Sequence, residues 1–290
     1  MAFLHRVLSL VFLASFCLLP VAGCRRGVSS YGADLRIRID SSLATPIAEG
    51  FSGFNTQPFS TGIEPWDPDL VSRAEALKPG FLRVPGGAIA GAYDWRSGNL
   101  RQEWVEAFRY ENLSVFDSKN SLYRRLDRMV KRTRGKGGTT IRDFARVARK
   151  LACRLVYNVN IRTDTVESAR AMAKYTVQEG IQVDLWELGG ETFAWTRPGK
   201  PTQFWQDGAD YVASMEDFAS AIRTEIPGAP ISVAFSFGDS DPNQQEFDLM
   251  VAAHPVKFWT DIVFHWYPGR GTLDLENGMV RVSKSLEEQA

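Results

Sequence analysis

Six short apolar runs, alternating with amphipathic helical stretches, recur at intervals of about 30 to 50 residues apart from one longer interruption, and this alternation constrains the fold most. A strand returning parallel to its predecessor needs a crossover long enough to hold a helix, and right-handed crossovers lay successive strands side by side. The strands read as Phe51 to Asn55, Phe81 to Val84, Arg154 to Asn160, Val183 to Leu188, Ile231 to Phe237 and Thr260 to Trp266. Between them, helices read as Asp67 to Leu77, Thr140 to Leu151, Val166 to Gln178, Asp210 to Thr224 and Gln245 to Ala253. Asp67 and Pro68 open the first helix, and Gly180 stops the third. The expectation is an α/β domain whose parallel sheet follows sequence order, with helices outside.

The fourth strand runs Val183-Asp184-Leu185-Trp186-Glu187-Leu188-Gly189-Gly190-Glu191. A period of two puts Leu185, Glu187, Gly189 and Glu191 on one side and Trp186, Leu188 and Gly190 on the other. Parallel β/α folds carry their chemistry at the C-terminal ends of the strands, so Glu191 is a candidate general acid. Capping of the next helix, or a surface ion pair with an arginine, is the alternative.

Residues 1–24 read as a targeting segment. His5 and Arg6 precede an apolar run, Val7 to Leu19, that is short for a membrane span. Val21-Ala22-Gly23-Cys24 looks like a bacterial lipobox, which would lipidate Cys24 and tie the chain to a membrane; an ordinary cleavable signal peptide is the alternative, and both export the protein. Arg25, in place of an Asp, favours the outer membrane, with the domain periplasmic or surface-exposed. Residues 25–34 read as a tether and 35–50 as a leading segment in which Leu35 to Asp40 alternates as a strand, leaving 51–290 for the βα units.

With Cys17 in the signal and Cys24 lipidated, Cys153 has no cysteine to pair with, so neither a disulfide framework nor a cysteine metal site is expected. After processing only His254 and His265 remain, too few for a histidine metal centre, and no cofactor is implied. Lys plus Arg and Asp plus Glu both number 34, so charge gives no reason to expect nucleic acid as a partner.

The longest interruption lies between Gly87 and Gly138. Trp95, Trp104, Phe108, Tyr110 and Phe116 are scattered through it, followed by a basic run from Lys119 to Lys136. That run reads either as a solvated helix face or as a clamp for an acidic glycan at the mouth of the fold.

Four stretches, in order between Phe51 and Pro268, resemble retaining glycoside hydrolases built on a (β/α)8 TIM-type barrel, in particular the heparanase and β-glucuronidase family and the α-L-arabinofuranosidases. Phe81-Leu82-Arg83-Val84-Pro85-Gly86-Gly87 with Tyr93-Asp94-Trp95 is similar to the segment at the second barrel strand. Asn158-Val159-Asn160-Ile161-Arg162-Thr163 resembles the end of the third, Trp186-Glu187-Leu188-Gly189-Gly190-Glu191 the acid/base motif of the fourth, and Phe264-His265-Trp266-Tyr267 the sugar-lining motif of the sixth. The resemblance implies an incomplete barrel of about six βα units, since six strands do not close an eight-stranded one. It also implies that the leading strand belongs to a β-sandwich.

The chemistry so implied is hydrolysis of glycosidic bonds in oligo- or polysaccharides by two carboxyl groups roughly 5 to 5.5 Å apart. Glu191 would be the acid/base. Asn55, Arg83, Asn160 and His265, with Tyr267, would bond sugar hydroxyls, and Trp195 or Trp266 would face the ring. Core packing is the alternative for the aromatics, and a structural histidine for His265. Two departures stand out: Gly190 replaces the family's asparagine, and no Glu sits at the end of a seventh strand, so the nucleophile is expected to be missing from a C-terminally truncated chain. A non-catalytic glycan-binding or scaffold lipoprotein is the competing reading.

Overall fold

A computed structural model describes residues 51–56, 64–105, 128, 130–131, 138–190, 192, 204–236 and 242–265. The expected targeting segment with Cys24, the expected leading strand and most of the basic run lie outside them. So do Glu191, Trp195, Trp266 and Tyr267.

The described chain runs β1 (Gly53–Asn55), α1 (Pro68–Ala76), β2 (Phe81–Val84), a 3-10 turn (Ala88–Ala92), β3 (Tyr93–Asp94), β4 (Asn99–Leu100), α2 (Ile141–Lys150), β5 (Arg154–Asn158), α3 (Val166–Gln178), β6 (Leu185–Leu188), α4 (Gly208–Glu225), β7 (Ile231–Phe235), α5 (Pro242–Ala253) and β8 (Asp261–Phe264). Six strands form one sheet in the order β1-β2-β5-β6-β7-β8, every pair parallel. This is the order expected of successive right-handed βα units, and the sheet is part of a (β/α) barrel.

Each strand has two faces with different work. Leu82, Val84, Leu155, Tyr157, Trp186, Leu188, Ile231 and Val233 point outward and are buried. Above them α2 lies on β2 and β5, α4 and α5 lie on β7, and α3 packs on α4. Burying each such side chain stabilises the fold by about 1.5–3 kcal/mol. The helices start where local chemistry satisfies their free N–H groups. Asp67 accepts from the amides of Asp69 and Leu70 at 3.0 and 3.2 Å, Thr165 from Ser168 at 3.1 Å and Asp207 from Asp210 at 2.9 Å. At α2 the Asp143 carboxylate accepts from both the amide and the hydroxyl of Thr140, at 2.9 and 2.7 Å.

The interruption after β2 begins with more order than its composition suggests. β3 and β4 pair as an antiparallel hairpin, with Asp94 capping the turn through the Ser97 hydroxyl at 2.7 Å. Trp95 is buried rather than exposed at a mouth: its Nε1 donates to Ser168 Oγ at 3.1 Å, its ring lies 5.5 Å from Tyr175, and Arg96 sits 4.4 Å above it. The Cys153 thiol is half-buried, and that burial raises its pKa, which disfavours the thiolate.

Candidate active site

The inner face of the sheet carries a polar row that runs from the C-terminal end of β5 to the N-terminal end of β8. Asn158, Glu187, Ser232 and Asp261 lie side by side on β5, β6, β7 and β8, where barrel interiors are usually filled by branched apolar side chains. A groove of about 780 Å³ runs along this face, lined at one end by Arg154, Asp184 and Asp261 and at the other by Asn55, Arg83, Glu187, Gly190 and His265.

Glu187 anchors the upper end. Arg83 Nε donates to one of its oxygens at 2.6 Å and Nη2 to the other at 2.5 Å, a two-point ion pair in which the acid side chain is 2 % and the arginine 11 % exposed. The remaining guanidinium nitrogen, Nη1, donates to Asn55 Oδ1 at 3.2 Å. Strands β1, β2 and β6 are thus joined through side chains above their ladders. The Pro85-Gly86-Gly87 turn makes this approach feasible, because a Cβ at Gly86 would stand 1.7 Å from Asn55 Oδ1.

Beyond Leu188, β6 and β7 part, and the Tyr211 phenol fills the gap. Its hydroxyl donates to Leu188 O at 2.6 Å and accepts from Ala234 N at 2.9 Å. Burial drives the Tyr211 pKa far upward, so this bridge stays neutral. Here the alternation read from sequence ends. Gly189 has φ 98°, and residue 190 turns toward the groove instead of away from it. A Cβ there would lie 3.0 Å from Arg83 Nη2 and 3.4 Å from both Asn158 Nδ2 and His265 Cε1.

The structure therefore brings together Asn55, Arg83 and His265 of the expected site residues. Asn160 is elsewhere. It is 5 % exposed, its Nδ2 donates to Tyr93 O and Thr163 Oγ1 at 3.0 Å each, and its Oδ1 accepts from the amides of Arg162 and Thr163 at 3.2 and 3.1 Å. It ties the end of β5 to the hairpin. The chain leaves the strand after Asn158, so the inward parity shared by 158 and 160 is lost before Asn160 is reached. Sequence reasoning placed Glu187 inward but gave it no role, and passed over Asn158; the signal for both was the period of two.

No protein-family profile matches this chain, and no curated protein sequence does. Among solved structures, it is similar to an α-L-arabinofuranosidase from Thermotoga maritima in its arabinose complex, with a TM-score of 0.51 and 16% identity over 84% of this chain and 47% of that one. AbfB, a family 51 α-L-arabinofuranosidase from Bifidobacterium longum, gives a TM-score of 0.53 and 16% identity over 83% and 47%. This chain spans about half the length of these relatives. Fold and likeness together define its class: a partial (β/α) barrel resembling those of glycoside hydrolases.

Proposed function

We propose that the chain is part of an exported glycoside hydrolase acting through a retaining two-carboxylate mechanism, with Glu191 as acid/base. The observation that carries this reading is the convergence of Asn55, Arg83, Glu187, Gly190 and His265, from four strands, on one end of the groove immediately before Glu191. Strand ends of a parallel barrel are where such enzymes assemble catalytic groups. Asn55 and His265 offer polar groups to sugar hydroxyls, while Arg83 and Glu187 hold the frame.

The attacking carboxylate is a separate requirement. Glu187 is engaged by Arg83 through both oxygens and does not serve as that nucleophile. On this reading the nucleophile is missing from the 290-residue chain, and turnover needs a form that supplies it. The same pairing, with Gly190 in place of asparagine, also favours a second reading: a surface glycan-binding lipoprotein on a barrel that has lost the reaction.

Arabinose, the sugar in the Thermotoga maritima complex, is the first probe. Binding should be seen by titration, and a form supplying the nucleophile should hydrolyse 4-nitrophenyl α-L-arabinofuranoside, with Glu191→Gln slowing alkyl arabinofuranosides more than the aryl one because only the former need protonation. Sugar binding without turnover in such a form would select the binding reading; no sugar binding at all would sink both. Lipidation at Cys24 is part of the proposal, and Cys24→Ala should move the protein from the membrane to the soluble fraction. An acidic glycan remains a candidate ligand of the Lys119 to Lys136 run.

A further inference from the structure

We infer that Asn158 is a sugar-binding residue: its carboxamide stands in, from the neighbouring strand, for the side chain that position 190 lacks. The inference rests on reading the groove as a sugar site, and its observations are independent of that reading. Asn158 ends β5 on the inner face, paired with Glu187 in the sheet, and is 2 % exposed. Its carboxamide makes no hydrogen bond to another described residue, yet it is not among the fully enclosed unsatisfied polar atoms, so it keeps a small opening to solvent. The nearby Asn55 and Asn160 carboxamides are engaged, by Arg83 in one case and by the hairpin and the Thr163 turn in the other. Arg83 and Glu187 satisfy each other beside it.

An amide that the protein leaves unbonded at such an opening is available to water, or to a ligand hydroxyl that displaces it. Nδ2 lies 3.4 Å from the point where a Cβ on residue 190, itself part of the groove lining, would sit, and that point is 3.0 Å from Arg83 Nη2 and 3.4 Å from His265 Cε1. Because residue 190 is glycine, no side chain stands between the amide and the groove. A ring hydroxyl reaching the amide past residue 190 would find a donor and an acceptor, which suits a hydroxyl able to play either role. Asparagine at 190 would crowd the Arg83 nitrogen that Glu187 holds in place, so in this chain the two positions are alternatives.

The experiment compares arabinose affinity and thermal midpoint in Asn158→Ala, Asn158→Leu and Asn160→Ala. Each Asn158 variant should weaken arabinose binding about tenfold while its midpoint holds or rises, because no hydrogen bond within the protein is lost. Asn160→Ala should lower the midpoint, since a fully bonded carboxamide is lost. Wild-type affinity in folded Asn158→Ala or Asn158→Leu overturns the inference and leaves the sugar site standing. A midpoint that falls by several degrees in both Asn158 variants overturns it too, by making Asn158 structural. A wild-type chain that binds no arabinose removes the sugar reading itself and this inference with it.

Discussion

Glu187 and Arg83 sit where neither has much water to turn to, at 2 % and 11 % exposure of their side chains. Removing one member leaves the other's buried charge without its opposite charge, so Glu187→Gln or Arg83→Met should each lower unfolding stability by about 3–5 kcal/mol, and the joint Arg83→Met/Glu187→Leu change should recover most of it. Urea unfolding of the three variants decides; additive losses in the double variant would contradict the pairing. Asp164 poses the opposite problem. Burial raises its pKa, against lowering by the Ser168 hydroxyl, the Thr165 amide and Arg96, while Asp94 adds to the rise. The folded state then binds more protons than the unfolded chain, so stability falls as pH climbs from the ordinary aspartate value, about 3.9, through the raised folded one. Wild type should lose stability relative to Asp164→Asn across that window in a series of urea titrations, and a difference of the other sign would show that the hydrogen bonds outweigh burial. The inward parity of Glu187 was legible in the sequence. Its partner was not, because Arg83 is level with Leu185 across β5 and reaches to the next inward residue, and no local pattern records such an offset.

Helix boundaries were largely legible because caps and stops are local chemistry. Asp67, Thr140 and Thr165 opened helices where expected, while α5 starts at Pro242, before the expected Gln245, a position proline suits because it needs no amide partner there. The β3–β4 hairpin was not legible, since two-residue strands show no period. The loops after the helices carry a testable strain. Gly180 follows α3 with φ 61°, but the matching positions after α1 and α2 are Lys78 and Ala152, at φ 47° and 51°. A left-handed L-residue costs roughly 1–2 kcal/mol, partly offset by the greater unfolded-state freedom of glycine. Lys78→Gly and Ala152→Gly should therefore each stabilise the fold by up to about 1 kcal/mol. Gly180→Ala should cost about as much, and there the loss isolates backbone strain, because a Cβ at Gly180 would meet no atom within 4 Å. Unchanged urea midpoints in all three would mean that these loops relax freely.

At the scale of the whole sheet, sequence order and parallel pairing were legible because crossover length and handedness leave few options. How the described strands end at the two sides was not, because exposure depends on what lies beyond each edge. Along β8 the outward positions Ile262 and Phe264 are 48% and 46% exposed, although on β7 Val233, level with Ile262, is wholly buried and Phe235, level with Phe264, is partly buried. Near β1, Phe51 is 73% and Leu77 67% exposed. Strand-borne apolar residues in contact with water favour association with another surface, the more so in sulfate, which strengthens apolar burial. The 290-residue chain should accordingly self-associate as its concentration rises, and sedimentation velocity should show the larger species growing with added ammonium sulfate. Replacing Ile262 and Phe264 together by lysine and threonine should shift that distribution toward monomer while leaving the thermal midpoint within a few degrees, because neither side chain contributes full burial to the fold. A chain that stays monomeric across the concentration range, or a double variant that unfolds, would show that these positions are covered in solution and belong to the core.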